Sequence, residues 1–331
     1  YRCGLHRETA DKGQLISVDL QKLFGSLQLS KRRAVDTLGV TRAFGWDAAD
    51  GFEQHDVHHG HGLYDAWDEA VYLVSYALNL SIFADRSVLN TVVSEEQIFL
   101  IRRLFKKRAI KKIPSAYLTS CAYFCGLPFY VDRRVLIPRS PIGQLILDKF
   151  KPWVADPPKF ILDLCTGSGC IGISCALAFP DAHVTISDIS EDALNVARRN
   201  ARNHNCSNRI DISKSDLFFN LGAEKYDLIV SNPPYVDSED YATMPREYFS
   251  EPSIGLVSGA DGLDIVRKIL SEAADYLHVG GGLIVEVGNS ATAVEKAYPN
   301  LPLLWIDFKE GDSGVFALTR EQLIENRNVC S

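Results

Sequence analysis

No stretch of this chain approaches the ~20 consecutive apolar residues that a membrane span requires, so no transmembrane helix is expected. The first residues, Tyr1-Arg2-Cys3-Gly4-Leu5-His6, lack the apolar run of a secretory signal. They also lack an initiating Met, so the true start is expected to be trimmed or replaced. The eight cysteines (Cys3, Cys121, Cys125, Cys165, Cys170, Cys175, Cys206, Cys330) include no C-x-x-C pair, which argues against zinc or disulfide frameworks. Several lie in apolar runs, where a Cys behaves as a small hydrophobe. A reduced, cytoplasmic protein is expected. Repeats and low-complexity tracts are missing too, apart from one His-rich patch.

Basic excess is missing where it would matter for nucleic acid. Formal charge is -7, from 35 Lys+Arg and 42 Asp+Glu. Residues 1–150 hold 20 basic and 16 acidic side chains, whereas residues 151–331 hold 15 and 26. An acidic second half is a poor partner for a phosphate backbone. It suits a small molecule or a basic protein better. The hydrophobic fraction of 46% supplies a real core and excludes a disordered chain. A length of 331 residues allows one large domain or two ordinary ones.

Helices are expected first. Asp65 can cap a segment that begins Ala66-Trp67-Asp68-Glu69-Ala70 and runs to about Leu80, with Trp67, Val71, Val74 and Leu78 as its apolar stripe. Ser94-Glu95-Glu96-Gln97 is a capping box for a helix through about Lys112. Its stripe is Ile98, Ile101 and Phe105, and Pro114 sits just past its end. Residues 10–45 read as one or two more helices. Residues 123–131 are aromatic and β-rich around Gly126, which predicts a hairpin. Residues 135–141 are expected to be extended, because Pro138 and Pro141 both oppose helix before them. A helix over about 142–150 opens the next domain. Strands then follow at 160–164, 182–188, 210–213, 226–231 and 282–287, with a closing hairpin from 303–308 and 315–318. Helices at 169–179, 190–205 and 263–277 fall between them. This alternation predicts a parallel sheet covered by helices on both faces. The expected fold class is α/β, with a helical domain over 1–113, a hairpin linker over 114–140 and the sheet domain over 141–331.

Two motifs carry chemistry. Asp163-Leu164-Cys165-Thr166-Gly167-Ser168-Gly169-Cys170-Ile171-Gly172 ends the first strand of the sheet and opens a helix. It satisfies G-x-G-x-x-G, and Asp188 follows about twenty residues later at the end of the next strand. The glycines let the backbone approach a ligand, and the helix terminus offers N–H groups. Asp188 is placed to accept hydrogen bonds from ribose hydroxyls. Alone, this pattern fits either a nicotinamide dinucleotide or S-adenosylmethionine. The second motif, Asn232-Pro233-Pro234-Tyr235, comes straight after the fourth strand. In open α/β sheets ligands bind beyond the carboxyl ends of the strands, so Asn232 is expected to face the glycine loop. A dehydrogenase has no use for this turn, whereas a methyltransferase acting on a planar –NH2 group does. The lone pair of such a nitrogen is delocalised and attacks poorly. The Asn232 side-chain oxygen and the Pro233 carbonyl can each accept one of its hydrogens and favour the attacking lone pair. Two prolines stiffen these acceptors in advance. Tyr235 can cover the target plane and present its face to a sulfonium charge.

The pairing of Asp163-x-x-x-Gly167-Ser168-Gly169 with Asn232-Pro233-Pro234-Tyr235 resembles the protein-glutamine methyltransferases. The resemblance is closer to the branch that methylates a glutamine of large-subunit ribosomal protein three. It rests on His61-Gly62, Ala66-Trp67-Asp68-Glu69-Ala70, Pro114-x-Ala116-Tyr117-Leu118, Phe129-Tyr130-Val131-Asp132, Val135-Leu136-Ile137-Pro138-Arg139-Ser140-Pro141, Cys165-Thr166-Gly167-Ser168-Gly169-Cys170 and Ser258-Gly259-x-Asp261-Gly262. Arg139-Ser140-Pro141 marks the branch, since release-factor enzymes resemble it with Arg-Pro-Asp there. The resemblance covers about residues 55–325. It implies a seven-stranded, Rossmann-like class I methyltransferase domain preceded by a small helical substrate-recognition domain and a β-hairpin linker. It implies S-adenosylmethionine as cofactor and S-adenosylhomocysteine as product. The implied cofactor residues are Asp163, Cys165, Thr166, Gly167, Ser168, Gly169, Asp188, Asp216, Leu217 and Asn232. Asn232, Pro233 and Tyr235 are the implied catalytic residues, and with Pro234 they hold the target amide. The implied partner is a ribosomal protein, free or in an assembling large subunit. Residues 1–50 lie outside the resemblance, and His58-His59-Gly60-His61 stands where relatives often carry a Phe-rich stretch.

Other readings stay open. Release-factor methylation uses the same turn. A nucleic-acid adenine amino-methyltransferase would too, with a basic recognition surface and a flipped base. A nicotinamide-dependent dehydrogenase leaves the turn unexplained. A non-catalytic ribosome-assembly factor would keep the cofactor as a structural ligand. His55, His58, His59 and His61 crowd seven residues, but without carboxylates at fixed spacing they are expected to form a polar loop and to hold no metal. Arg102, Arg103, Lys106, Lys107, Arg108, Lys111 and Lys112 make one helix basic, either as a solvated face or as a contact for ribosomal RNA. Glu286, at the end of the fifth strand, is read as a cap or a pocket residue, and Arg139 as ordering the pocket rim.

Overall fold

A computed structural model describes residues 52–53, 55–63, 65–80, 94–154, 156–308 and 314–330. The helices expected over 10–45 lie outside the described residues. The chain divides into two compact units, residues 1–121 and 122–331, and the segment 114–140 spans that division.

Among the described residues of the first unit are the helices α1 (Ala66–Ala77), α2 (Glu95–Lys111) and α3 (Ser115–Thr119). Asp65 caps α1 by accepting from the Asp68 N–H at 2.9 Å. Ser94 and Gln97 close the capping box of α2 reciprocally. The expected stripe of α1 is rotated: Val71 is exposed, while Glu69, Ala70, Leu73 and Ala77 are buried. Glu69 is the reason. Its Oε1 accepts from Arg108 Nε at 2.6 Å and from Ser115 Oγ at 2.7 Å. Its Oε2 pairs with His59 Nδ1 at 2.8 Å. Burial alone would raise the Glu69 carboxyl, but His59, Arg108 and Ser115 outweigh it and hold it below its ordinary value.

The basic helix is therefore not uniformly a solvated face. Arg108 is 1% exposed, and its second guanidinium nitrogen donates to the His58 carbonyl at 2.6 Å. Lys112 donates to the carbonyls of His55 and Asp56. Arg102, Arg103, Lys106 and Lys111 stay exposed. The histidine loop is thus tied down largely through its backbone. Among the described residues no group of three His, Cys, Asp or Glu side chains is arranged to hold a metal ion.

The second unit begins with the hairpin β1 (Ala122–Phe124) and β2 (Leu127–Phe129). Cys125 and Gly126 both take positive φ, as a two-residue hairpin turn with the twist of its strands demands. Helix α4 (Ile142–Leu147) stops sooner than expected, because Lys149 and Phe150 turn left-handed without any glycine to announce it. The elements β3 (Phe160–Leu164), α5 (Cys170–Ala178), β4 (His183–Asp188), α6 (Glu191–Asn203), β5 (Ile210–Lys214) and β6 (Tyr226–Ser231) follow. After α7 (Ser238–Thr243) and α8 (Asp264–Tyr276) come β7 (Leu277–Glu286), α9 (Ala291–Ala297), β8 (Leu304–Trp305), β9 (Val315–Thr319), α10 (Arg320–Glu325) and α11 (Arg327–Cys330).

Seven strands form one sheet in the order β5-β4-β3-β6-β7-β9-β8. The first five are parallel, and β9 runs antiparallel to both β7 and β8. Alternate residues feed two cores. Ile161, Val184, Ile186, Leu228 and Val230 face one, and Leu162, Leu164, Ile229, Leu283 and Val285 the other. Each such side chain contributes ~1.5–3 kcal/mol on burial. No helix among the described residues is long and apolar enough to cross a membrane.

Candidate active site

Strand register builds the site. Leu164 of β3 lies opposite Ser187 of β4 and Ser231 of β6, and Ser231 lies opposite Val285 of β7. One residue further along each chain come Asp188, Cys165, Asn232 and Glu286. These four therefore stand in a row across the carboxyl edge of the sheet, ~4.8 Å apart from strand to strand.

The glycine loop occupies the middle of this row. Cys165, Gly167 and Gly169 all take positive φ. A Cβ on Gly167 would meet nothing within 4 Å, so its open side is available to a ligand. Gly172 is tight by contrast, since a Cβ there would lie 2.3 Å from Ile186 Cγ2. Asp163 latches the loop from below: its Oδ2 accepts from Thr166 Oγ1 at 2.5 Å and from the Gly172 N–H at 2.8 Å. Asp188 latches it from the side, accepting from the Gly167 N–H at 2.9 Å and the Ser190 N–H at 2.9 Å. Each Asp188 oxygen has lone-pair capacity left for a ligand hydroxyl. Burial raises the Cys165 thiol well above its ordinary value, so it stays protonated and is no nucleophile.

The Asn232–Tyr235 turn is braced from outside. Val236 donates its N–H to the Leu256 carbonyl at 2.8 Å, and Ser258 donates to the Val236 carbonyl at 2.9 Å. Ser290 Oγ donates to the Tyr235 carbonyl at 2.6 Å. Gly262 and Gly288 pack against the Tyr235 backbone and ring so closely that a Cβ on either would clash. Among the described residues the Asn232 carboxamide makes no hydrogen bond within the chain, although Asn232 is only partly exposed. A preorganised acceptor without a partner is what an incoming –NH2 group requires.

The rim comes from residues 137–141. Arg139 forks onto Glu251 at 2.7 and 2.8 Å, and the same carboxylate accepts the Ile137 N–H at 2.8 Å. The Arg139 guanidinium also lies 5.4 Å from the centre of the Tyr248 ring. Arg139 thus joins the segment 137–139 to Glu251 and Tyr248. Ser140 donates to Glu286 Oε2, and Tyr235 OH donates to Glu286 Oε1 at 3.4 Å.

The sequence-predicted residues fall into two groups. Cys165–Gly169, Asp188 and Asn232–Tyr235 converge on the sheet edge. Asp163 is wholly buried beneath the loop, while Asp216 is exposed and Leu217 buried just past β5. The Ser215 N–H donates to the Asp188 carbonyl at 3.1 Å, which keeps that segment beside the row. Sequence reasoning missed Glu251, Ser290 and Asn200. Asn200 is fully buried, and its carboxamide clasps both backbone polar groups of Tyr130 while donating to the Ser168 carbonyl at 2.8 Å. Its signal was a polar residue inside the Ala193, Val196, Ala197 and Ala201 stripe of α6. No comparable pattern pointed to Glu251 or Ser290.

The methyltransferase small domain family matches residues 143–253. The chain is 45% identical over 278 residues to the ribosomal protein uL3 glutamine methyltransferase of Francisella tularensis, covering 83% of this chain and 88% of that protein. It is 44% identical over 266 residues to the enzyme of the same name from Bordetella pertussis, covering 80% and 89%. Among solved structures it is similar to a methyltransferase from Pyrococcus furiosus, at 18% identity and a TM-score of 0.42, over 69% of this chain and 99% of that one. An RNA methyltransferase from Salinibacter ruber in complex with S-adenosyl-L-homocysteine is similar at 17% identity and a TM-score of 0.36, over 55% and 92%. With two relatives this similar over most of its length, the chain belongs to the ribosomal protein uL3 glutamine methyltransferase family.

Proposed function

We propose that this protein transfers a methyl group from S-adenosylmethionine to the side-chain amide nitrogen of a glutamine in a uL3-type ribosomal protein. The observation that carries the reading is the Asn232 carboxamide, without a partner among the described residues and abreast of the glycine loop. The loop suits the cofactor. Gly167 is open, Asp188 offers lone pairs to ribose hydroxyls, and Asp216 and Leu217 offer a polar and an apolar contact for adenine. Thr166, Ser168 and Gly169 shape the loop, with Cys165 at its start and Asp163 holding it from below.

When bound, the cofactor supplies an electrophilic methyl group on a sulfonium and departs as S-adenosylhomocysteine. The protein's part is orientation. Asn232 and the Pro233 carbonyl each accept a hydrogen of the target –NH2, which aims the nitrogen lone pair at the methyl carbon. Pro234 keeps the turn rigid, and Tyr235 covers the amide plane. The methylated nitrogen would then release one proton to water.

The division of labour follows the charge. The acidic sheet domain, residues 141–331, receives the basic protein. The helical domain over 1–113 recognises the substrate particle, and the exposed Arg102, Arg103 and Lys106 of α2 offer a contact to ribosomal RNA. The segment 114–140 links the two, and a cytoplasmic location suits such a substrate. Incubating the enzyme and cofactor with undermethylated uL3, then sequencing peptides by tandem mass spectrometry, tests the reading. One glutamine gaining a single methyl is expected, and no modified glutamine despite bound cofactor would refute it.

A further inference from the structure

We propose that Glu286 and Ser140 are positioning residues for the methyl-accepting amide, acting through the ring of Tyr235. This rests on the reading of Asn232–Tyr235 as the amide site. Tyr235 is held at its carbonyl and along one side of its ring. Its carbonyl is held by Ser290, and its ring is pressed by Gly288, where a Cβ would come within 2.7 Å of Cε2 and 2.9 Å of the hydroxyl. The freedom that matters for the lid is a tilt of the ring, since rotation about the Cβ–Cγ axis leaves the hydroxyl oxygen in place. The hydroxyl anchors that tilt, and its partner is Glu286 Oε1 at 3.4 Å. That distance is long for such a bond, so the contact has room to tighten when substrate fills the site.

Glu286 is itself fixed. It is 5% exposed at the end of β7, next in the row to Asn232, and its Oε2 accepts from Ser140. Ser140 in turn is 9% exposed, and its Oγ also accepts the Ile142 N–H at 3.2 Å where α4 begins. One hydroxyl thus reads the extended rim segment and the first turn of α4 and passes their position to the carboxylate. Burial and the Glu286 charge both push the Tyr235 hydroxyl upward, so it remains a donor. The chain Ser140–Glu286–Tyr235 sets how the aromatic lid lies over the target plane. The tie crosses 146 residues of sequence, which is why no local motif announces it.

The test uses the full-length enzyme with cofactor and a uL3 substrate, comparing Glu286→Gln, Ser140→Ala, Ser140→Thr and Tyr235→Phe. Calorimetry reads cofactor affinity, and steady-state kinetics read kcat and KM separately. Glu286→Gln is expected to lower kcat at least about tenfold, the effect of losing a charge-assisted hydrogen bond, with cofactor affinity changed less than about twofold. Ser140→Ala should lose less and Ser140→Thr should restore it. Ser140→Ala combined with Glu286→Gln should be no slower than Glu286→Gln alone. Tyr235→Phe keeps the ring and the packing, guards against a misfolded Glu286 variant, and should lose kcat to a similar degree. Wild-type kcat in Tyr235→Phe and Ser140→Ala, or fully additive losses, would overturn the proposal. A wild-type enzyme that methylates no glutamine would remove the amide site itself, a different result from active enzyme with indifferent variants.

Discussion

Asp163 lies under the glycine loop, where burial drives its carboxyl up to about 7 despite hydrogen bonds from Thr166 and Gly172, with Asp188 adding to the rise. A carboxyl raised from 3.8 in the unfolded chain to about 7 in the folded one stabilises the fold most below 3.8, and that contribution is lost as pH rises through 7. Asp163→Asn is expected to flatten the pH dependence of stability across this window, as read by melting temperature from pH 4 to 8. Asn232 is expected to bear on turnover rather than stability. Its replacement by Ala should cost about 10²–10³ in kcat, by analogy with loss of a preorganised polar group. Cofactor affinity should stay within about twofold. A variant with normal kcat would show that the –NH2 group is oriented by something else.

Elements differ in how openly their sequences declare them. The strands β3, β4 and β6 were legible because buried β-branched runs with abrupt ends leave no helical alternative. The capping box did the same for α2. The face of α1 was not legible, since a Glu reads as solvent-facing until Arg108, Ser115 and His59 are seen around it. The early start of β7 at Leu277 was hidden by Gly280, Gly281 and Gly282, which weaken any strand signal. Of the site, the loop and the Asn232–Tyr235 turn were visible as motifs. Glu251 and Ser140 could not be found as partners, because their contacts join distant segments. Two outcomes belong at this scale. Arg108→Ala should destabilise the first unit by ~3–5 kcal/mol in chemical denaturation, since it strands a buried carboxylate. Gly172→Ala should cost ~1–3 kcal/mol, because α5 would have to back away from Ile186 on β4.

At the scale of the whole molecule, charge is segregated. Residues 151–331 carry 26 acidic against 15 basic side chains, so a basic protein substrate is expected to be drawn to this half. Capture should weaken as salt screens it over a Debye length of ~8–10 Å. KM for the protein substrate is therefore expected to rise between low and physiological ionic strength, with kcat little changed, and a KM insensitive to salt would contradict this. The row at the sheet edge also serves as a ruler. On the proposed reading Asp188 marks its adenosyl end and Asn232 its amide end, two strand spacings apart, or ~10 Å. That spacing is held by the backbone hydrogen bonds of three strands, so it cannot stretch to suit a ligand. A bisubstrate inhibitor that joins an adenosine to a glutamine-like carboxamide should gain affinity only when its tether matches this span, and shorter or longer tethers should bind no better than adenosine alone.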